Sequence, residues 1–571
     1  MRLDVLPSPS DERGCLPLVR RSLLCRAGSG RVILRLLLLD GSLRDLACPL
    51  VPEDPSLTES IFLSTAFNAL AVFSAREVTV FLDSSDSGQL ALFSRLDERF
   101  QVRRGERTGL GKPISIANRL CSAIGAAPFR FRLEEFSLWS PLPPCSPPDS
   151  GSLPERLRSR VMAAAEGCRV GIDIGGTDIK LAASRAGRLT YLKEFDWDPA
   201  SYTTAEQILD PILLLVRLMR VCLAWDPASL PPDLAAALGR DAGLDQMEQA
   251  VIAAEASLGD RANLLDGVGV SFPDIVIGDR ILGGETPKTK GLRENPSRPY
   301  ETEFARLGRL RDPILTLCRP GGDCHICNDG SMAAFTAAAE LSFGDDPDSV
   351  REGVIAHTLG TDLGTGWLTA DGRIPQIPLE LYDLLLDLGA DPSREYPARD
   401  LRSKKNENSG LCGVRRYLGQ AAAFRLAWEL DPDLLRGFAE EQDGLLVLPD
   451  GDRDLRKPCL EHLMSRAEAG DPAAEEIFRR IGQNLAMVCL EMEYLASPRP
   501  KTRWLFGRFV RSPRCFALMC QGFDGENTGL TLRAADRDLA NTSLMRQLAA
   551  RPDATVAQFG QAVGAIYYSL P

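Results

Sequence analysis

The stretch Gly171–Lys180 (GIDIGGTDIK) constrains the fold of this chain more than any other. An apolar run reaches Asp173, two adjacent glycines follow, and a second strand-like run re-emerges at Ile179–Ala182. Neighbouring glycines let backbone N–H groups approach a phosphate without interference from Cβ. In that reading Gly175 and Gly176 cradle the phosphate and the Thr177 hydroxyl adds a donor. Lys180 stands close by, and Asp173 is placed to hold a hydrated Mg²⁺ through water. A plain β-hairpin with a Gly-Gly turn accounts for the same residues equally well.

A second stretch of the same kind follows the apolar run Val354–Leu359: Thr358-Leu-Gly-Thr-Asp-Leu-Gly-Thr-Gly-Trp367. Either turn alone is ordinary, but two strand–glycine turn–strand units in one chain suit a two-lobed protein that grips a triphosphate. Between them lies Asn328-Asp329-Gly330-Ser331, opening a helix of small residues that runs to Ser342. An Asn or Asp there is ordinarily a helix cap. The functional alternative makes Asp329 a general base, because phosphoryl transfer needs a carboxylate within reach of the attacking hydroxyl.

The order DIGGTDIK, GVGVSFPD, TPKTKGL, CNDGSMAAFTAAAE and LGTDLGTGW resembles the ROK family of sugar kinases and sugar-responsive repressors. So does the tail, where Ala473–Pro498 is followed by RWLFGRFV and AQFGQAVGAIYY. The resemblance implies an α/β fold of two ribonuclease-H-like lobes of the actin/hexokinase type, with ATP and Mg²⁺ held between the lobes. It makes Asp173, Gly175, Gly176 and Thr177 the first phosphate loop. Gly360, Thr361, Gly364, Thr365 and Gly366 form the second, and Gly507 lies on the adenosine side. Asn328 becomes a sugar ligand, Asp329 the catalytic base, and Glu380 with Asp383 the remaining substrate-side positions. The implied activity is ATP-dependent phosphorylation of a hydroxyl on a hexose-like sugar, and a homodimer is allowed.

Several positions depart from that pattern. Asp362 stands where the family has glycine, which puts a carboxylate beside expected phosphates. The family's Glu-x-x-His is here Glu380-Leu-Tyr-Asp383, and of its CxCGxxGC zinc motif only Cys412 and Gly413 remain, so no zinc is expected. Cys324 and Cys327 flank His325 without a second pair at finger-like spacing and read as two strand cysteines. These losses keep open a catalytically weak or inactive sugar sensor. A repressor of the same family is disfavoured, because residues 1–138 read strand–helix–strand rather than as a winged helix-turn-helix.

At 571 residues the chain needs more than one core. The proline-rich run Trp139–Pro154 marks a break. The expected division is an α/β domain over 1–138, a linker and lead-in over 139–165, and lobes over 166–353 and 354–571. A net charge of −12 argues against a general nucleic-acid or anionic-membrane binder. Arg95–Lys112, the one basic stretch of the first domain, reads as a solvated surface loop. Ser60–Ala75, broken by Asn68, reads as too short to span a membrane. Without a basic-then-apolar leader, and with 15 scattered cysteines, a reduced cytoplasmic protein is expected.

Overall fold

The computed structural model describes residues 14–26, 30–101, 109–143, 152–262, 264–283, 286–388, 413–442, 445–447, 453–534 and 539–570. It divides into two compact units. One comprises 1–146, 358–365 and 377–534, and the other comprises 147–357, 366–376 and 535–571.

The unit built on 147–357 centres on a five-stranded sheet. Its first strand, Arg169–Ile174, pairs antiparallel with Asp178–Arg185, which pairs antiparallel with Arg188–Asp196. On the other side it runs parallel to Gly267–Phe272, which in turn runs parallel to Asp323–Asn328. The spatial order, third–second–first–fourth–fifth, is that of a ribonuclease-H-like lobe. Alternation along the first strand sends Val170, Ile172 and Ile174 into a core shared with Ile208, Leu215 and Met219 of the helix Ala205–Cys222. That helix starts at a capping box, Thr204 with Gln207. The C-terminal helix Val556–Tyr568 packs on the first strand and on the helix Asp329–Ser342. Leu153–Glu166, expected as a lead-in, is itself a helix, capped by Ser152 and packed against the helix Asp329–Ser342.

The other unit joins the N-terminal residues to 377–534 in one contiguous body. Its first sheet has the order Leu43–Pro49, Arg31–Leu37, Glu77–Leu82, Arg130–Glu135. The last pair is parallel and the others antiparallel. Pro55–Phe73, a helix capped by Asp54, covers this sheet. The helix is long and apolar enough to cross a membrane, but 67% of its most apolar window is buried, as in a core helix. It starts at Pro55, ahead of the stretch singled out in the sequence, and Asn68 does not break it. Asn68 is fully buried and hydrogen-bonded on both faces of its amide.

The same body holds the long helix Pro472–Ala496, which packs along Pro513–Gly525, and the parallel strands Thr502–Gly507 and Thr531–Ala534. Arg20 and Glu491 form a fully buried ion pair there. Arg20 also donates to Thr65 Oγ1 at 3.2 Å and stacks 3.4 Å over the Tyr494 ring. Such a pair balances its desolvation only when every polar atom finds a partner. Asn68 donating to Glu491 Oε1 at 2.9 Å helps meet that demand.

Candidate active site

Asp173 lies one residue before the end of the first strand of the ribonuclease-H-like lobe, half-buried, and the turn Gly175-Gly176-Thr177 follows the strand. The turn is held from both sides. Gly175 N–H donates to Asp178 O at 2.8 Å, Trp197 N–H donates to Thr177 O at 3.0 Å, and the Trp197 indole donates to Gly175 O at 3.1 Å. These bonds leave Thr177 exposed. A Cβ on Gly176 would stand 3.2 Å from Lys288 Cε, so the TPKTKGL segment passes directly over the turn. Lys180 is spent on Asp178 in an ion pair.

The carboxylate of Asp173 belongs to a hydrogen-bonded chain. Ser271, on the fourth strand, donates its hydroxyl to Asp173 Oδ1 at 2.9 Å. Gln561, on the C-terminal helix, donates to Ser271 Oγ at 3.0 Å and to Asp329 O at 2.8 Å. Burial pushes the Asp173 carboxyl up to about 6, against Ser271 and Lys180, which pull it down, and with Asp329 and Asp178 adding repulsion. Asp173 and Asp329 therefore share one electrostatic environment.

Asn328 and Asp329 open the helix Asp329–Ser342 at the end of the fifth strand. Asn328 is the N-cap: its Oδ1 accepts from Gly330 N–H at 2.9 Å and Ser331 N–H at 3.3 Å, and its Nδ2 donates to Asp274 O at 3.0 Å. Capping, the plain reading of this position, thus falls to Asn328. Asp329 accepts from Gly330 N–H at 2.8 Å and is half-buried; among the described residues no other donor reaches its carboxylate. The strand Leu363–Thr369 comes up against this helix start: a Cβ on Gly366 would lie 1.8 Å from Gly330 O, so only glycine fits.

Two features near this site have structural partners. His325 sits between Asp279 (3.2 Å) and Asp323 (3.1 Å). Cys324 and Cys327 are buried strand cysteines whose thiols burial pushes far up, which leaves them inert. Among the described residues no three His, Cys, Asp or Glu side chains gather as a metal site, and Cys412 lies outside those residues.

The second glycine turn, Gly360-Thr361-Asp362, belongs to the other unit. Gly360 N–H closes on Asp362 O at 3.1 Å, and Gln420 N–H takes Gly360 O at 3.0 Å. Thr361 is exposed, Gly364 half-buried and Thr365 buried. The Asp362 side chain is exposed by surface area, yet the surrounding protein pushes its carboxyl above the usual carboxylate range, with Arg415, Arg456 and Lys112 opposing and Asp383 reinforcing. Gly507 has φ +105, and a Cβ there would meet Leu359 O at 2.2 Å, so this glycine holds the strand Thr502–Gly507 against the hairpin.

Glu380 and Asp383 also lie in this unit, against the N-terminal residues. Glu380 N–H donates to Ala71 O at 3.2 Å. Buried Asp383 pairs with Lys112 and accepts from Arg415 at 2.7 Å. Burial raises its carboxyl, but the two cations outweigh that and hold it below the usual range. The basic stretch expected as a solvated loop therefore ends on a buried lysine, and Arg95–Arg99 lie in the helix Ser87–Arg99. Lys112 and Arg415 are the residues that sequence reasoning missed. Charge-bearing residues far apart in a sequence carry no mark of their pairing.

No protein-family model matches the chain, and no curated protein matches it in sequence. Solved structures do match. The ROK hexokinase from Thermus thermophilus is 16% identical, over 70% of this chain and 97% of that one, with a TM-score of 0.39. The chain is similar to ROK-family proteins. A ROK family glucokinase from Streptomyces griseus, in complex with glucose and AMPPNP, is 19% identical over 71% of this chain and 99% of that one, TM-score 0.37. A ROK family transcriptional regulator, a homolog of the E. coli MLC protein, is 12% identical over 71% and 79%, TM-score 0.40. The strand order of the five-stranded sheet is read from the sheet itself.

Proposed function

We propose that this protein transfers the γ-phosphoryl group of ATP to a hydroxyl of a small, hexose-like sugar, with Asp329 as general base. The observation that carries the reading is the chain Asp173–Ser271–Gln561–Asp329, which ties the glycine turn to the backbone carbonyl of Asp329, a residue whose half-buried carboxylate has one donor. A structural cap alone needs no such link, since Asn328 already does the capping.

In this mechanism Asp329 accepts the proton of the sugar hydroxyl as its oxygen attacks the γ-phosphorus. The bond from phosphorus to the β-γ bridging oxygen breaks, and ADP leaves. Gly175, Gly176 and Thr177 offer N–H and hydroxyl donors to the phosphate oxygens, and Lys288, passing over Gly176, adds a cation. Asp173 has the donor chemistry to hold Mg²⁺ through water, and the ion would supply neutralisation of the triphosphate charge when bound. Asn328, fixed by its own cap bonds, contributes a positioned amide on the sugar side. In the other unit Gly360, Thr361, Gly364, Thr365 and Gly507 are the nucleotide-side candidates, and Glu380 is the sugar-side candidate.

Asp383 favours a second reading, a sugar-binding regulator with little turnover. It stands where the resemblance implies a sugar ligand, yet its carboxylate is taken by Lys112 and Arg415. A panel of hexoses and N-acetylhexosamines with Mg-ATP, read by ADP release and by thermal shift, separates the two. ADP release dependent on one sugar supports the kinase. Stabilisation by a sugar without ADP release supports the regulator.

A further inference from the structure

The segment Leu379–Leu388 is gripped by the N-terminal part of its own unit at nearly every other residue. Leu379 N–H donates to Val72 O at 2.9 Å and Glu380 N–H to Ala71 O at 3.2 Å, both at the end of the helix Pro55–Phe73. Asn68 on that helix closes a two-way amide pair with Leu385: Leu385 N–H to Oδ1 at 2.7 Å, and Nδ2 to Leu385 O at 3.0 Å. Leu16 N–H donates to Leu386 O at 2.8 Å, and Leu388 N–H to Gly14 O at 2.7 Å. Lys112, at the start of another N-terminal helix, reaches Asp383.

Two details point beyond packing. Leu379 has φ +56, a left-handed conformation that costs a branched side chain on the order of 1–2 kcal/mol. Such strain persists only where the surroundings over-determine the backbone, and here it directly precedes Glu380. Lys112 is 8% exposed, so its charge is desolvated to meet Asp383 when a leucine or methionine would fill the space more cheaply. Its ammonium also lies over the Tyr382 ring, 5.5 Å from the centroid, and the Arg415 guanidinium lies 5.0 Å from the same ring.

We propose that the described residues between Gly14 and Ala123 act as an internal clamp that fixes the backbone of 379–388 and so presents Glu380 to the substrate, with Lys112 as the positioning residue. The substrate-side half of this rests on the sugar-kinase reading above; the clamp itself does not. A clamp of this kind makes the N-terminal residues part of the working lobe rather than a docking module appended to it.

The test uses the full-length chain as wild type, Lys112→Met and Lys112→Arg. Hydrogen exchange is followed by mass spectrometry on peptides covering 379–388, with 169–174 as control. The Met variant should exchange at least tenfold faster over 379–388 and unchanged over 169–174, and the Arg variant should stay near wild type. On the best sugar of the panel, Lys112→Met should raise KM about tenfold with kcat within twofold. Unchanged exchange in the Met variant overturns the clamp. Faster exchange with unchanged KM overturns the positioning role of Lys112. If the wild type turns over no sugar, the kinase reading falls alone and exchange still decides the clamp. Should Lys112→Met not fold, the neutral pair Lys112→Met with Asp383→Asn replaces it, with the same expected exchange.

Discussion

Ser271 gives its hydroxyl proton to Asp173 and accepts the amide of Gln561 on the same oxygen, so the one alcohol orders both neighbours. Asp173 nonetheless has its carboxyl raised to about 6, chiefly by burial. An acid whose folded pKa lies above its unfolded value of 3.8 stabilises the fold fully below about 4 and loses that contribution as pH rises through 6. Ionised Asp173 is therefore a cost at neutral pH, on the order of 3 kcal/mol at most for a half-buried group. Asp173→Asn should raise the urea midpoint at pH 7 and leave it nearly unchanged at pH 4. The same variant should weaken Mg-ATP binding, as read by calorimetry. A midpoint equally shifted at both pH values contradicts the assignment.

Asp329→Asn keeps the shape and the Gly330 contact but cannot accept a proton. Turnover should fall roughly 10²–10⁴-fold with sugar affinity nearly intact. Wild-type turnover in this variant removes Asp329 from the mechanism.

The buried Arg20–Glu491 pair gives a stability prediction independent of chemistry. Glu491→Ala strands a guanidinium that is 1% exposed. A loss of about 3–5 kcal/mol is expected in urea unfolding. Arg20→Met with Glu491→Leu, which removes both charges, should recover most of it. A double variant as unstable as the single one would mean that Thr65, Asn68 and Tyr494, rather than the charge, decide this site.

Much of the backbone was legible in the sequence. The helix opened by Asn328-Asp329 ends at Ser342 as read, and the apolar run Val354–Leu359 lies in the strand Gly353–Leu359, because each is a patterned run bounded by local stops. The glycine turns and the Asn328-Asp329 helix start were legible for the same local reason. What was not legible depends on distance along the chain. Lys112 and Asp383 are separated by 271 positions, and Asn68 and Leu385 by 317. Neither lysine in a basic stretch nor asparagine in an apolar helix announces that its partner is a segment hundreds of residues away. Asn68, read as a break in an apolar run, is the residue that completes the run's packing.

Asp362 gives the fourth prediction. A like charge about 4 Å from a phosphate costs on the order of 4 kcal/mol at an effective dielectric of 20. The charges of Arg415, Arg456 and Lys112 act on this carboxylate against burial and Asp383, and offset part of that repulsion. Asp362→Gly should therefore change Mg-ATP affinity by less than about tenfold, measured by calorimetry. A gain near a thousandfold would show that the cations do not shield it, and with no turnover by the parent protein would favour the regulator reading.

The Arg20–Glu491 pair also sets a timetable. The two residues are 471 positions apart, and the backbone of Leu16 waits on Leu386. A ribosome adding roughly 5–20 residues per second needs about 25–95 s to bring Glu491 out after Arg20. Throughout that interval a guanidinium meant for the interior, and the apolar helix that begins at Leu16, have no finished surface to close on. The other unit meets a similar delay, since its strand Arg169–Ile174 must wait for the helix Val556–Tyr568, made much later. Each unit closes only after a segment of the other has been made. Expression conditions that shelter the nascent chain through that interval should therefore raise the yield of folded protein.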